Sequence, residues 1–366
     1  MNLRLFVFLV VLVLTLSFAV FALFLVTGTF AAGLSTSERM VENILTSVSA
    51  GIARDYGQYT LQAIDFSGKL SGNIEKKTAQ LGISIPELKN HPSKLEEIID
   101  DEFDQSLLSL LIAKSSGIFF ILNATVNPAL EGAGSSRAGL YLKNMEPGIV
   151  SASPGITILR GSPATGRSKS MPLHAQWKME FDVSDAPYYQ LPQEVAWRNP
   201  ALPLSRLCYW SPPLRLDDSS ETVMLCSVPL IDSKGNVFGV CGLEIGEMQF
   251  KLSYMPDNSV YKRIFCLLSP VKGQTMDPRR SMFAGGYSAN RSADARGVLV
   301  ISDQRSYFYL YKKPDRQESF LGLHRLLQLY PGDSAFSEEQ WAVAVMVPEG
   351  DIVGPVIRLN LILFFS

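Results

Sequence analysis

The sequence predicts an α+β protein in which a long amino-terminal helix carries two sheet domains in succession. The first observation is the stretch Val223 to Ile245 (VMLCSVPLIDSKGNVFGVCGLEI), two strand-length apolar runs flanking a polar turn. The second is a helical spacing of apolar residues sustained from about Ser35 to Leu81. The third is a separate group of strand-like runs beyond residue 256. The order expected is a transmembrane anchor (1–32), a long stalk helix (33–85), a first sheet domain (86–255), a second sheet domain (256–352) and the start of a second transmembrane helix (353–366).

The central hairpin is the firmest element. Asp232-Ser233-Lys234-Gly235-Asn236 joins its two runs, and a type I turn with a G1 bulge would place Gly235 in the left-handed conformation. Both runs are apolar nearly throughout, so they read as central strands covered on both faces. Pairing Asp232 with Asn236 sets Cys226 opposite Gly242, which turns Cys226 and Cys241 to opposite faces and disfavours a disulfide between them. Buried free thiols are the expectation, and four Cys in a chain of this length do not form a disulfide scaffold.

At the amino terminus, Leu5 to Val26 is apolar apart from Thr15 and Ser17. About 22 residues at 1.5 Å each reach roughly 33 Å, enough for the hydrocarbon core of a bilayer. A secretory leader has a shorter apolar region, although Phe30-Ala31-Ala32-Gly33 supplies the small residues that cleavage needs. Arg4 precedes the span, so the positive-inside rule leans towards an external bulk. The helix that follows carries Val41, Ile44, Val48, Ile52, Tyr56, Tyr59, Ala63, Phe66, Leu70 and Ile74, every step three or four. Some 45 residues would extend about 65 Å. A break near Gly57 or Gly68 would give two ordinary helices instead.

Pro86, Asn90 and Pro92 mark a turn, after which Lys94 to Lys114 reads as a helix with an acidic, solvated face. Strands are expected at Ile118–Val126 and Ala138–Leu142, with a loop over Pro147–Lys169 that contains at most the short strand Ile156–Leu159. Trp177 to Pro213 is rich in aromatics (Trp177, Phe181, Tyr188, Tyr189, Trp197, Tyr209, Trp210), interleaved with Asp182, Asp185, Glu194, Arg198 and Arg206. Aromatics with a few polar groups line small-ligand pockets, and they also make ordinary core packing; the residues are compatible with either. Beyond the hairpin, Met248–Asp257 reads as a short helix, and Arg263–Leu268, Val298–Ser302, Tyr307–Lys312 and Trp341–Val347 as strands. Val356–Phe365 is too short to span a bilayer and reads as the beginning of a membrane helix.

Composition narrows the function. Hydrophobic residues make up 47% and charged residues 19%, and a net charge of −2 offers no basic footprint for nucleic acid. The three His stand far apart without metal-ligand spacing, Gly132-Ala133-Gly134 departs from a nucleotide-binding loop, and no nucleophile element stands in a strand-turn-helix context. No cofactor, no metal and no enzymatic activity are expected of this chain.

The organisation and one motif resemble the double Cache sensor modules of bacterial transmembrane receptors, which stack two PAS-like domains along a long helix. The motif runs from Pro229 through Asp232, Gly235, Gly239, Val240 and Gly242 to Glu244 and Ile245. The resemblance implies an extracytoplasmic sensor held in the cell membrane by one or two passes, with 86–255 as its membrane-distal ligand-binding domain and 256–352 as its membrane-proximal one, passing ligand binding to a cytoplasmic output domain by helix movement. In amino-acid-binding members an Asp at the position of Glu244 holds the ligand's ammonium. An Arg-x-Trp-Tyr element grips its carboxylate; Ala186-Pro187-Tyr188-Tyr189 keeps the aromatics and has Ala186 in place of the Arg. Tyr209-Trp210 resembles the next pocket strand. The candidate ligand-binding residues are therefore Glu244, Tyr188, Tyr189, Tyr209, Trp210, Arg206 and Trp177. The expected partners are a small molecule (an amino acid or another small metabolite), the membrane and a second copy of the chain. Two other readings stay open: a membrane-anchored surface hydrolase, and a dimerising or partner-binding stalk without a small ligand.

Overall fold

The computed structural model describes residues 2–147, 155–216, 221–257, 259–286, 299–304, 308–312 and 319–354; at 2–5, 20–21, 24–27, 29–31 and 302–304 it describes the backbone alone. The chain opens with α1 (Asn2–Gln80), a single helix of 79 residues. The segments expected as anchor and stalk are thus one continuous helix, and neither Gly57 nor Gly68 breaks it. No Pro occurs before Pro86, and an interior Gly costs only about 1 kcal/mol, which side-chain packing outweighs. Val41, Leu45, Ile52, Tyr56, Ala63, Phe66, Leu70 and Ile74 are all buried, which makes the three-or-four spacing a packed face. Among the described residues no helix is long and apolar enough to cross a membrane. The expected span, 5–26, is the first part of α1, and its described side chains from Phe6 to Phe18 are exposed.

After α1 the expected single helix is divided into α2 (Pro92–Asp101) and α3 (Phe103–Ala113). Glu102 sits at the division, buried, and accepts a hydrogen bond from Asn73 of α1 at 3.1 Å. The first sheet contains β1 (Gly117–Leu122), β3 (Gly139–Asn144), β4 (Ile156–Arg160), β5 (Leu173–Lys178), β7 (Tyr209–Trp210), β8 (Leu214–Arg215), β9 (Thr222–Ile231) and β10 (Val237–Gly246). Its order is β5-β4-β3-β1-β10-β9-β7, with β8 also on β9. The pairings are antiparallel except β4 with β5. The short strands β2 (Ser136–Arg137) and β6 (Phe181–Asp182) pair beside it. Two helices were not expected: α4 (Pro163–Ser168) and α5 (Pro187–Arg198). Pro187 starts α5, where its missing N–H costs nothing, and so Tyr188, Tyr189 and Trp197 are helical where the sequence read as irregular.

The hairpin β9–β10 is central, as its apolar runs predict. Gly235 has φ +86° and its N–H reaches the Asp232 carbonyl at 3.0 Å. The buried Asp232 carboxylate fastens the turn by accepting from the N–H groups of Lys234 and Asn236 at 2.9 and 2.7 Å. The expected register is corrected from there on. The pairing shifts by one between Val237 and Gly239, so Cys226 lies opposite Leu243 rather than Gly242. Cys226 and Cys241 therefore share one face, in the core against α1. All four Cys are buried free thiols, with the sulfurs of Cys208 and Cys226 3.2 Å apart.

After α6 (Glu247–Tyr254) come β11 (Phe265–Lys272), β12 (Thr275–Met276), β13 (Met282–Gly285), β14 (Leu299–Gln304), β15 (Tyr309–Lys312), β16 (Ser319–Leu327) and β17 (Trp341–Pro348). Their order is β12-β14-β15-β16-β17-β11-β13, and β12 pairs with β11 as well. The expected second PAS-like sheet is therefore a closed barrel. One edge of β11 accommodates β13 along Phe265–Leu268 and β12 at Val271–Lys272, and this shared edge closes the ring. Phe265, Leu267, Met276, Tyr311, Phe320 and Met346 fill its interior. The strand β16, with Gly322, His324 and Arg325 in its middle, was not legible as one. Residues 349–354 are helical. The remainder of the expected second membrane helix (355–366), residue 298, residue 307 and most of the expected loop at 284–296 lie outside the described residues.

Candidate functional site

The first sheet has two unlike faces. One packs on α1 and contributes Trp210, Cys226, Cys241 and Leu243 to the main core. The other carries Phe119, Ile121, Tyr141, Leu159, Val223, Leu225 and Val240, over which fold Phe181, Val183, Ala186, Tyr188 and Tyr189. Between this second face and the segments 181–188 and 211–216 lies a cleft of about 310 Å³. Aromatic rings (Tyr141, Phe181, Tyr188) form its apolar lining, and Arg160, Asp182, Asp185, Ser211 and Arg215 supply polar groups. One further wall residue, Arg280, comes from the turn before β13, so the cleft draws on both parts of the chain.

The local sequence explains the placement. Along β3 the side chains alternate, which sets Tyr141 and Lys143 on the cleft face. Gly117 of β1 pairs with Lys143 on one side and with Glu244 of β10 on the other. A Cβ at Gly117 would lie 2.9 Å from the Tyr141 ring and 3.1 Å from the Glu244 carboxylate. Because position 117 has no side chain, the residues of the flanking strands meet across it. The Lys143 ammonium and the Tyr141 hydroxyl both donate to the fully buried Glu244 carboxylate. Lys143 also reaches Glu221 at 2.8 Å. Burial works to lower the pKa of Lys143, but Glu244 and Glu221 outweigh it and the net shift is upward. Burial, reinforced by the Glu244 charge, holds the Tyr141 hydroxyl well above its ordinary range. His174 is shifted down, first by burial and then by the Lys143 and Arg160 charges.

Of the residues selected from sequence, Tyr188 lines the cleft and Glu244 lies one layer beneath it, behind Tyr141. Tyr189 belongs to the same apolar cluster, with its hydroxyl donating to Asn123 at 2.8 Å and accepting from Arg137 at 3.2 Å. The remaining four are elsewhere. Trp210 faces α1, with its ring 4.6 Å from that of Tyr56 and its indole N–H on Thr60 at 3.0 Å. Tyr209 contacts Phe336 at 4.9 Å between ring centroids, and Arg206 pairs with Asp333 at 2.6 Å, both at the junction with the barrel. Trp177 donates to the Gly161 carbonyl at 3.0 Å on the edge strand.

Sequence reasoning missed Tyr141, Lys143, Arg160, Arg215 and Arg280. The alternation in GLYLKN was a usable signal for Tyr141 and Lys143. The cationic groups that seemed to be lacking when Ala186 replaced an Arg are present, supplied by other strands and by the barrel segment. Among the described residues no cluster of His, Cys, Asp and Glu could hold a metal ion.

No known protein-family profile matches the chain. No curated protein matches it either. Solved structures do. The chain is similar to the periplasmic sensory domain of the Campylobacter jejuni chemoreceptor Tlp1, at 13% identity over 87% of this chain and 98% of that one, with a TM-score of 0.47. It is similar to the ligand-binding domain of the C. jejuni chemoreceptor Tlp3 in complex with L-valine, at 10% identity over 88% and 97% of the two chains and a TM-score of 0.42. It is also similar to the ligand-binding domain of the Pseudomonas fluorescens chemoreceptor CtaA in complex with L-serine, at 10% identity over 86% and 98%, with a TM-score of 0.42.

Proposed function

We propose that this chain is the extracytoplasmic small-ligand sensor of a membrane receptor. The observation that carries the reading is the cleft: an aromatic pocket with converging charged groups, walled by the first sheet, the β6–α5 segment and Arg280 of the barrel segment. A ligand there touches both parts of the chain at once, and α1 packs along both. Ligand affinity that differs between two arrangements of the parts would shift α1 towards one of them. The exposed apolar surface from Phe6 to Leu16, continued by Phe18 and Leu23, supports a membrane anchor at the start of α1. In this reading residues 86–255 form the membrane-distal binding domain and 256–352 the membrane-proximal one, the second membrane helix starts within 353–366, and the receptor is a homodimer. The role is binding, not turnover.

The test is a thermal-shift screen of the purified region against small metabolites, followed by titration. Saturable stabilisation is expected with at least one compound, lost in Tyr188→Ala and Arg160→Ala. A response that survives both substitutions, or chemical conversion of the bound compound, would overturn the proposal.

A further inference from the structure

We propose that the cleft selects small organic carboxylates that carry no ammonium group, and that Lys143 sets this selectivity. The inference rests on the cleft being the ligand site proposed above. Its basis is the charge that a bound molecule would meet. Glu244 is the deeply buried carboxylate next to the pocket, and it is already engaged by the Lys143 ammonium and the Tyr141 hydroxyl. Lys143 thus satisfies, with a tethered cation, the buried carboxylate that a ligand's ammonium would otherwise seek. Glu221, the second carboxylate on Lys143, is partly exposed and also lies within 3.5 Å of the Met248 N–H.

The cations are arranged differently. Arg160 is buried in the wall, with one guanidinium nitrogen anchored on the carbonyls of Leu159 and Gln176 at 2.8 and 3.0 Å. Arg215 and Arg280 are exposed at the rim and bring two more positive charges. The acidic wall residues Asp182 and Asp185 are exposed as well, so water and salt screen these four rim charges alike, and Arg160 is the buried cation of the wall. A carboxylate is attracted chiefly by the buried Arg160, while an ammonium over Tyr141 would find the Glu244 carboxylate already engaged by Lys143 and Tyr141.

Matched pairs differing only in the amino group test this: succinate against aspartate, 4-methylpentanoate against leucine, and 3-phenylpropanoate against phenylalanine. Each is titrated calorimetrically into wild type, Lys143→Met, Lys143→Arg and Tyr188→Ala. The des-amino member of at least one pair is expected to bind wild type on the order of 100-fold more tightly than its partner. Lys143→Arg should keep that preference, Lys143→Met should shrink or reverse it, and Tyr188→Ala should remove binding. If Lys143→Met does not fold, the wild-type and Lys143→Arg titrations still decide. Equal or tighter binding of the amino members to wild type overturns the selectivity but leaves the cleft as the site. Failure of every pair to bind, or binding indifferent to Tyr188→Ala, overturns the cleft reading as well.

Discussion

Lys143 and Glu244 form the ion pair on which the cleft wall depends. Taking two charges out of water is costly, and the pair is tolerated because each partner is neutralised and hydrogen-bonded by the other. Removing one partner leaves the other buried and uncompensated. Lys143→Met should therefore destabilise the protein by about 3–5 kcal/mol in urea unfolding at neutral pH, with Lys143→Met/Glu244→Gln recovering part of that loss. The same pair predicts a pH limit. The Lys143 pKa is raised on folding, so its contribution is fully present below the ordinary lysine value of about 10.4 and is lost as pH rises through the higher folded value. Stability of the wild type should fall on that alkaline limb, and the Lys143→Met variant should be flatter there. Period-two alternation places Tyr141 and Lys143 on one face, and the hairpin motif singles out Glu244. That the two strands flank Gly117 could not be read, because strand neighbours are chosen by the whole sheet.

At the scale of elements, α1 was legible because its signal is redundant: a single face repeats over about nine turns from Val41 to Ile74, and no Pro interrupts it. Its contribution should be concentrated on that face. Phe66 is buried and Ser67 beside it donates to the Pro229 carbonyl of β9 at 2.7 Å, whereas Leu61, on the same helix, is 68% exposed. Phe66→Ala should cost about 3–5 kcal/mol and Leu61→Ala less than about 0.5 kcal/mol in chemical denaturation. Comparable costs for the two would mean that α1 does not pack on the sheet through this face. The elements that escaped detection have physical reasons. The helix α5 contains Pro187 and Pro192 and a crowd of aromatics, so local propensity argued for a loop and tertiary packing overrode it. The bulge after Val237 moved the register by one residue, which no pattern of apolar residues in two uniformly apolar strands can specify.

The whole molecule depends on a junction that the sequence did not announce, made by residues that had looked like pocket candidates. Arg206 pairs with Asp333, its carbonyl accepts from the Ala335 N–H at 3.1 Å, and Tyr209 meets Phe336. At the centre, the buried Tyr330 hydroxyl accepts from the Trp210 N–H at 3.0 Å and stands 3.1 Å from Glu339. These contacts join the strand next to β9 to the barrel, while α1 holds both parts from the other side, through Ser71 on Ile231 at 3.2 Å and through Glu42 on Arg325 at 2.7 Å. In the proposed sensor the two parts respond together to a change at the cleft, so the junction should govern cooperativity as well as stability. Tyr330→Phe removes a single hydroxyl and leaves the Trp210 N–H buried without its acceptor, at a cost of about 1–3 kcal/mol. Wild type should unfold in one calorimetric transition, and Tyr330→Phe should unfold at lower temperature with the transition broadened or split. A variant with an unchanged midpoint and a single sharp transition would show that the parts are held together by α1 alone, and that the barrel junction contributes nothing to their coupling.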